Sequence, residues 1–180
     1  MAADTDSFQE MLPELRRRRP GVRLHIVGRN PAPDVRALAG EAVDVTGTVP
    51  DVRPYLQHAA VVVAPLRVAR GIQNKILEAM AMSRPVVTSP SCGTALEARI
   101  GEHLLTAETA QDYVQAVSTL LDDAARGEAI GVAGRRRVVE TYSWAGSLRV
   151  LDERLAEALR GRSAPVAASA LAAVAPAERS

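Results

Sequence analysis

Lysine is almost absent from this chain: of its 22 basic residues, all but Lys75 are arginines. That bias reads as genomic base composition rather than chemistry, yet it makes the position of the one lysine informative. Aromatic residues are 3% of the 180, too few for the stacking platforms on which single-stranded nucleic acid lies. Charge of one sign is missing as well. With 22 basic against 21 acidic residues the formal net charge is +1, so no global field recruits nucleic acid or anionic membrane. A single cysteine, Cys92, forms no internal disulfide, which predicts a reducing, cytoplasmic setting. The longest apolar run, Ala59 to Leu66, is far short of the ~20 residues of a membrane helix. The opening MAADTDSFQE is acidic and lacks the apolar core of a signal peptide.

What is present is apolar material: 47% of the residues are hydrophobic, enough for the core of one domain. DSFQEMLPELRRRR, residues 6–19, places Phe8, Met11, Leu12 and Leu15 on one helical face. The run Arg16 to Arg19 reads as a solvated helix end, where cations suit the dipole, rather than as a nucleic-acid patch. Val22 to Val27 runs into Gly28 as a strand and turn. Asp34 to Ala39 predicts a short helix, Val43 to Thr46 a strand closed by Gly47, and Asp51 to Ala59 a helix capped by Asp51. The unbroken run Val61 to Leu66 predicts a strand buried on both faces of a parallel sheet. A helix over Ile72–Met82 and strands at Pro85–Thr88 and Leu104–Leu105 follow. From Thr109 to Arg160 the pattern is helical, with breaks expected near Gly127, Gly131 and Gly134 and around Tyr142-Ser143. Residues 161–180 are rich in Ala, Ser and Pro and are expected to be a disordered tail after a domain of residues 1–160. Alternating strands and helices predict a Rossmann-like α/β fold, a parallel sheet with flanking helices.

In such sheets ligands sit beyond the carboxyl ends of the strands. That rule selects Gly28–Asp34, Gly47–Asp51 with Val49 between them, and Arg67–Gln73. The third is the most informative. Gly71 lies at a helix mouth, where backbone approaches a ligand closely, and the free N–H groups from about Ile72 to Asn74 form an anion site. Arg70 and Lys75 add positive charge. Ile72, Ile76 and Met80 are expected to face the sheet, leaving Asn74 and Glu78 on another face. From there Glu78 is placed to accept hydrogen bonds from ribose hydroxyls. Against this stands the plainer reading of Lys75 and Glu78 as a surface pair worth a few tenths of a kcal/mol.

The run from Gly71 to Ala81, GIQNKILEAMA, followed by RPVV, resembles the nucleotide-sugar motif of group 1 (family 4) glycosyltransferases. LHIVGRNP, VTGTVPDVRPYLQHAAVVVAPL and GRRRVVETYSW resemble further segments of that family in the same order. RGIQNK with MAMSRPVV is most similar to the sugar transferases of exosortase-linked (PEP-CTERM) exopolysaccharide clusters. The resemblance spans roughly residues 6–160. It implies the C-terminal, donor-binding half of a GT-B fold that starts after its first strand, with the N-terminal acceptor domain as the missing partner. It further implies a retaining, metal-independent transfer, needing no cofactor, from a nucleotide diphosphate-sugar to an acceptor saccharide or lipid-linked glycan. The expected setting is cytoplasmic or peripheral at the inner membrane face, and the expected role exopolysaccharide or cell-surface glycan synthesis. Glu78 matches the family glutamate that binds ribose. The other motif glutamate falls on Arg70, so its sugar contact does not carry over; Arg70 is instead suited to diphosphate oxygens. With Lys75 it forms the expected catalytic pair. Donor binding is expected at Gly28, Gly47, Val49, Gly71, Ile72, Gln73, Asn74 and Glu78.

His25 reads as a packed or edge residue and His58 as a helix-end cation, while His103 precedes a strand and is a candidate for the cleft. Cys92, with no partner to lower its pKa, reads as a bystander thiol. The loop Ser89–Thr94 is a weak candidate for donor contact, and Trp144 a packing anchor. Leu148, Leu151 and Leu155 are expected to form an interdomain face, uncovered here and prone to self-association. Two other functions fit the same residues: a truncated, non-catalytic nucleotide-binding fragment, and a nucleotide-sugar epimerase-like protein.

Overall fold

The computed structural model describes residues 5–66, 71–143 and three helical positions beyond, Arg154, Glu157 and Leu159. Arg70, Trp144, Leu148, Leu151, Leu155 and the tail lie outside the described residues. The chain divides into two compact units, Met1–Ser143 and Trp144–Ser180, and the elements below belong to the first.

Helix α1 (Thr5–Arg18) leads to β1 (Leu24–Val27), α2 (Pro33–Arg36), β2 (Val43–Gly47), α3 (Arg53–His58), β3 (Val62–Ala64), α4 (Asn74–Ala81), β4 (Val86–Thr88), α5 (Pro90–Ala95), β5 (Leu105–Thr106), α6 (Ala110–Asp122) and α7 (Ala124–Tyr142). All strand pairs are parallel. Leu24 pairs with Val43 and Val27 with Gly47, with a register shift between Ile26 and Val27; Val62 pairs with Val86 and Val87 with Leu105. The hydrogen-bonded strands fall into two groups, β1-β2 and β3-β4-β5.

The core explains the layering. Val87 joins Phe8, Met11 and Leu15 of α1 and Tyr113, Val114, Val117 and Leu120 of α6 on one face. Its neighbour Val86, on the opposite face of the same strand, packs with Ile76, Ala79 and Met80 of α4, Cys92 and Leu96 around α5, and Val138 of α7. Helices therefore cover both faces of β4, the α/β arrangement that the alternation of elements predicts.

Several local readings are corrected. The run Val61–Ala64 is only half-buried, because β3 ends its three-strand group and has one strand neighbour. The segment after β4 is not a loop: Ser89 and Pro90 open α5 as N-cap and first-turn proline, and Cys92 is fully buried there. Helix α3 starts at Arg53 with Val52 as N-cap; Asp51 instead accepts from the Arg53 backbone N–H at 2.9 Å and grips its guanidinium. Most instructive is α7, which runs unbroken through Gly127, Gly131 and Gly134. A Cβ on Gly131 would lie 2.1 Å from the Ser83 carbonyl oxygen, and one on Gly134 2.8 Å from that of His103. These glycines are where the helix lies against other backbone.

The arginine run behaves as a solvated helix end. Arg17 and Arg18 both bind Glu14, at 2.7 and 2.9 Å, and Arg19 binds Asp122 of α6.

Candidate functional site

The proposed site is built where three parallel strands end. Gly28 follows β1 directly. Gly47 ends β2 beside Val27 with φ +70°, a left-handed conformation that glycine adopts without steric cost. Val49 lies two residues on, half-buried. Beyond β3, Gly71 (φ +74°), Ile72 and Gln73 lead into α4. Asn74 and Lys75 are its first two residues, and Glu78 lies one turn further on.

This mouth is open. Gly71, Ile72, Asn74, Lys75 and Glu78 are all exposed. Gln73 is the N-cap, yet its side chain makes no capping bond; its amide donates instead to the Gly71 carbonyl at 3.2 Å. The first hydrogen-bonded amides of the helix are those of Ile76 and Leu77, both on the Gln73 carbonyl. The Asn74 and Lys75 N–H groups precede them, the orphan donors of a helix start. With the positive end of the helix dipole they make an anion-receiving surface. Lys75 adds to it. A Cβ on Gly28 would sit 3.7 Å from Lys75 Nζ, so the only lysine lies against the end of β1. No ion pair joins Lys75 to Glu78 among the described residues, which removes the plain surface-pair reading and leaves both groups facing solvent. Asn74 and Glu78, four apart, share the exposed face.

Gly47, Gly28 and Lys75 thus form a row across the strand ends. Ile72 is corrected: it does not face the sheet but lies before the helix and is 48% exposed. Ile76 and Met80 do, each 1% exposed. Arg70 lies outside the described residues.

The histidines are elsewhere. His25 is exposed, 3.3 Å from Asp44 and with its ring centroid 6.2 Å from that of Tyr55. His103 is 7% exposed and precedes β5, at the strand end away from the mouth of α4, so it is no cleft residue. Its Nδ1 accepts the Arg99 N–H at 3.1 Å, and burial, the largest influence, pushes its pKa down. Around it lies a cavity of about 400 Å³ lined also by Glu97, Arg99, Glu102, Arg136 and Arg137. Sequence reasoning missed this cavity; the only signal was the density of charge in EARIGEH. Within it Arg137 binds Glu97 at 3.1 Å and Arg99 binds Glu102 at 2.7 Å, while the buried Nε of Arg137 has no hydrogen-bond partner among the described residues. Among the described residues no cluster of His, Cys, Asp or Glu is arranged to hold a metal, and no helix is long and apolar enough to cross a membrane.

A parallel α/β domain with an open helix mouth beyond its strand ends is the architecture of GT-B glycosyltransferase domains. Residues 3–123 match the family described as glycosyl transferases group 1, and the chain belongs to that family. A GDP-mannose-dependent alpha-(1-6)-phosphatidylinositol monomannoside mannosyltransferase of Mycolicibacterium smegmatis is 33% identical over 174 residues, covering 87% of this chain and 44% of that protein. The chain therefore spans under half the length of this relative. Sucrose-phosphate synthase from Thermosynechococcus elongatus superposes with TM-score 0.68 at 23% identity, over 90% of this chain and 44% of that one. The C-terminal domain of the group 1 glycosyltransferase LpcC from Francisella tularensis gives 0.68 at 17% identity, over 79% and 81% respectively. Anabaena HepE in complex with UDP gives 0.67 at 16% identity, over 85% and 44%.

Proposed function

We propose that this chain is the donor-binding part of a glycosyltransferase that moves a sugar from a nucleotide diphosphate-sugar to an acceptor. The observation that carries the proposal is the mouth of α4. Uncapped N–H groups, a left-handed glycine and the sole lysine meet beyond the strand ends, with Glu78, which forms no ion pair among the described residues, one turn along. The leaving group in such a transfer is a nucleoside diphosphate, so the reaction needs stabilisation of charge developing on its oxygens and positioning of the acceptor hydroxyl. In this reading the Asn74 and Lys75 N–H groups and Lys75 Nζ hold the diphosphate, with Arg70 contributing a guanidinium. Glu78 accepts the ribose hydroxyls. Gly71, Ile72 and Gln73 let the diphosphate reach the helix, and Gly28, Gly47 and Val49 flank the rest of the nucleotide.

The activity of the whole enzyme includes an acceptor domain outside these residues. We take the transfer to be retaining and independent of metal, as the family resemblance implies. GDP-mannose is the donor to test first, since the mannosyltransferase relative uses it by name. That relative's acceptor is a phosphatidylinositol mannoside, which supports a lipid-linked glycan as acceptor. We take the setting to be cytoplasmic or peripheral at the inner membrane face, and the role to be cell-surface glycan or exopolysaccharide synthesis of the PEP-CTERM-linked type, from the family resemblance alone. A second reading is a non-catalytic nucleotide-binding fragment; release of free sugar without an acceptor would instead favour epimerase-like chemistry.

Calorimetric titration with GDP, UDP and ADP tests the site. One nucleotide is expected to bind, GDP foremost, and Glu78→Ala is expected to weaken it about tenfold, or ~1.4 kcal/mol, without changing the unfolding midpoint. Absence of binding by all three overturns the donor reading. Sugar transfer by the chain alone overturns the non-catalytic one.

A further inference from the structure

We infer that the cavity around His103 is a second binding site, separate from the donor mouth, for the phosphate monoester of a small polyol. The site goes beyond the donor reading and does not depend on it. The cavity lies at the amino end of β5, against α7, whereas the mouth of α4 lies beyond the carboxyl ends of the strands.

A volume of about 400 Å³ lies within the range of small-ligand pockets, roughly 300–1,000 Å³. Three guanidiniums line it, those of Arg99, Arg136 and Arg137, with three carboxylates, those of Glu97, Glu102 and Glu140. Equal numbers would make a closed ion network if they met pair by pair, and they do not. Glu97 Oε2 accepts from Arg137 Nη2 at 3.1 Å. The Nε–H beside it, on the same edge of that guanidinium, is buried and has no partner among the described residues. A fork shaped for two parallel hydrogen bonds to one oxyanion is thus half used. Arg136 and Glu140 form no ion pair among the described residues. The His103 ring supplies a further donor. Its Nδ1 accepts the Arg99 N–H, so the neutral ring carries its proton on Nε2. The Glu102 carboxylate is 3.5 Å from that nitrogen, too far for more than a weak hydrogen bond.

Depth separates the two signs. The side chains of Glu97 and Glu102 are 79% and 47% exposed, against 26% for Arg137, and His103 is buried. Carboxylates therefore stand at the rim, and N–H donors lie deeper. An entering phosphate replaces Glu97, which holds Arg137 through a side chain free to swing into water. It fills both N–H positions of the Arg137 edge, and its remaining oxygens are available to His103 Nε2–H and Arg136. The rim carboxylates, Glu97, Glu102 and Glu140, then accept from hydroxyl groups. An unsubstituted phosphate leaves those carboxylates without donors, and an uncharged polyol leaves the Arg137 edge unmatched. The lining is matched to a molecule with one doubly charged end and one hydroxylated end.

Calorimetric titration of the 180-residue chain with glycerol 3-phosphate, inorganic phosphate and glycerol tests the site. Glycerol 3-phosphate is expected to bind about threefold or more tighter than inorganic phosphate, and glycerol not to bind. The Arg137 Nε–H resonance, followed by NMR, is expected to shift over the same concentration range. Arg136→Gln, at an exposed position, is expected to weaken binding about fivefold with the unfolding midpoint unchanged. Glu97→Gln is the sharpest variant. Its carboxylate competes for the Arg137 edge, so its loss is expected to tighten binding about threefold, a gain that a merely structural ion pair does not give. No binding, equal affinity for the two phosphates, or unchanged or weaker binding in Glu97→Gln overturns the proposal. Saturating GDP and the Glu78→Ala variant locate the ligand, since neither is expected to alter the affinity for glycerol 3-phosphate. Displacement by GDP, or weakening in Glu78→Ala, assigns the ligand to the donor mouth and overturns the second site. Failure of GDP to bind refutes the donor reading alone.

Discussion

The two ends of α4 are built on opposite principles. At its start, Gly71 stands in open space with nothing within 4 Å of its Cβ position, the cap is unused, and the polar side chains face solvent. At its end, the turn of Ser83 and Arg84 is pressed against α7 so closely that Gly131 leaves no room for a methyl group. Both ends depend on glycine, for unrelated reasons: conformational freedom in one place, close approach in the other. One helix thus separates the part of the domain that waits for a ligand from the part that holds it together.

Alanine substitutions break this contrast most directly. Gly131→Ala drives a Cβ into backbone, which cannot give way as a flexible side chain can. It is expected to cost about 3 kcal/mol or more in urea unfolding, at or above the usual range for overpacking; Gly134→Ala, with its 2.8 Å approach, is expected to cost less. Gly71→Ala meets no atom and suffers only the left-handed backbone, so about 1 kcal/mol is expected. Equal losses at Gly71 and Gly131 would erase the distinction between the two ends.

A smaller effect sharpens it. Burial holds the His103 pKa below its ordinary 6.5, so between those values the unfolded chain binds more protons. The associated stability is present above the ordinary value and is lost as pH falls through the window beneath it. Unfolding midpoints measured across that range are expected to fall with pH in the parent chain. In His103→Asn, whose amide oxygen still accepts the Arg99 N–H, they are expected to stay flatter. Smallest is Glu14, which Arg17 and Arg18 hold down from 4.5 to about 2. Its contribution is complete above 4.5 and fades toward 2. As the ion pair is exposed, Glu14→Gln is expected to shift acid unfolding barely, and high salt to abolish the difference.

Legibility in the sequence followed the range of the interaction. Helix α4 was readable because Ile76 and Met80 keep helical spacing within a few residues. The parallel α/β class was readable because elements alternate along the chain. The role of Gly131 was not, since its partner, the Ser83 carbonyl, is 48 residues away in sequence and carries no side-chain signature. The exposure of Ile72 was missed because helical spacing extends past the N-cap as easily as before it. The half-buried state of β3 was hidden for a similar reason: an apolar run announces a central strand and says nothing about whether its neighbour is present. By contrast, the helix after β4 was announced locally by Ser89-Pro90, a cap signature that the loop reading passed over. At the candidate site, glycine, lysine and glutamate were singled out by type and spacing. The approach of Lys75 to the end of β1 came only with the fold.

The buried thiol of α5 has a practical consequence. Cys92 is the only cysteine in 180 residues and is at 0% exposure between β4 and the helices that cover it. A thiol-reactive dye can therefore modify the protein at one place, and only when that layer opens. The labelling rate becomes a clock for the domain's breathing, read from one covalent event per molecule and needing no engineered probe.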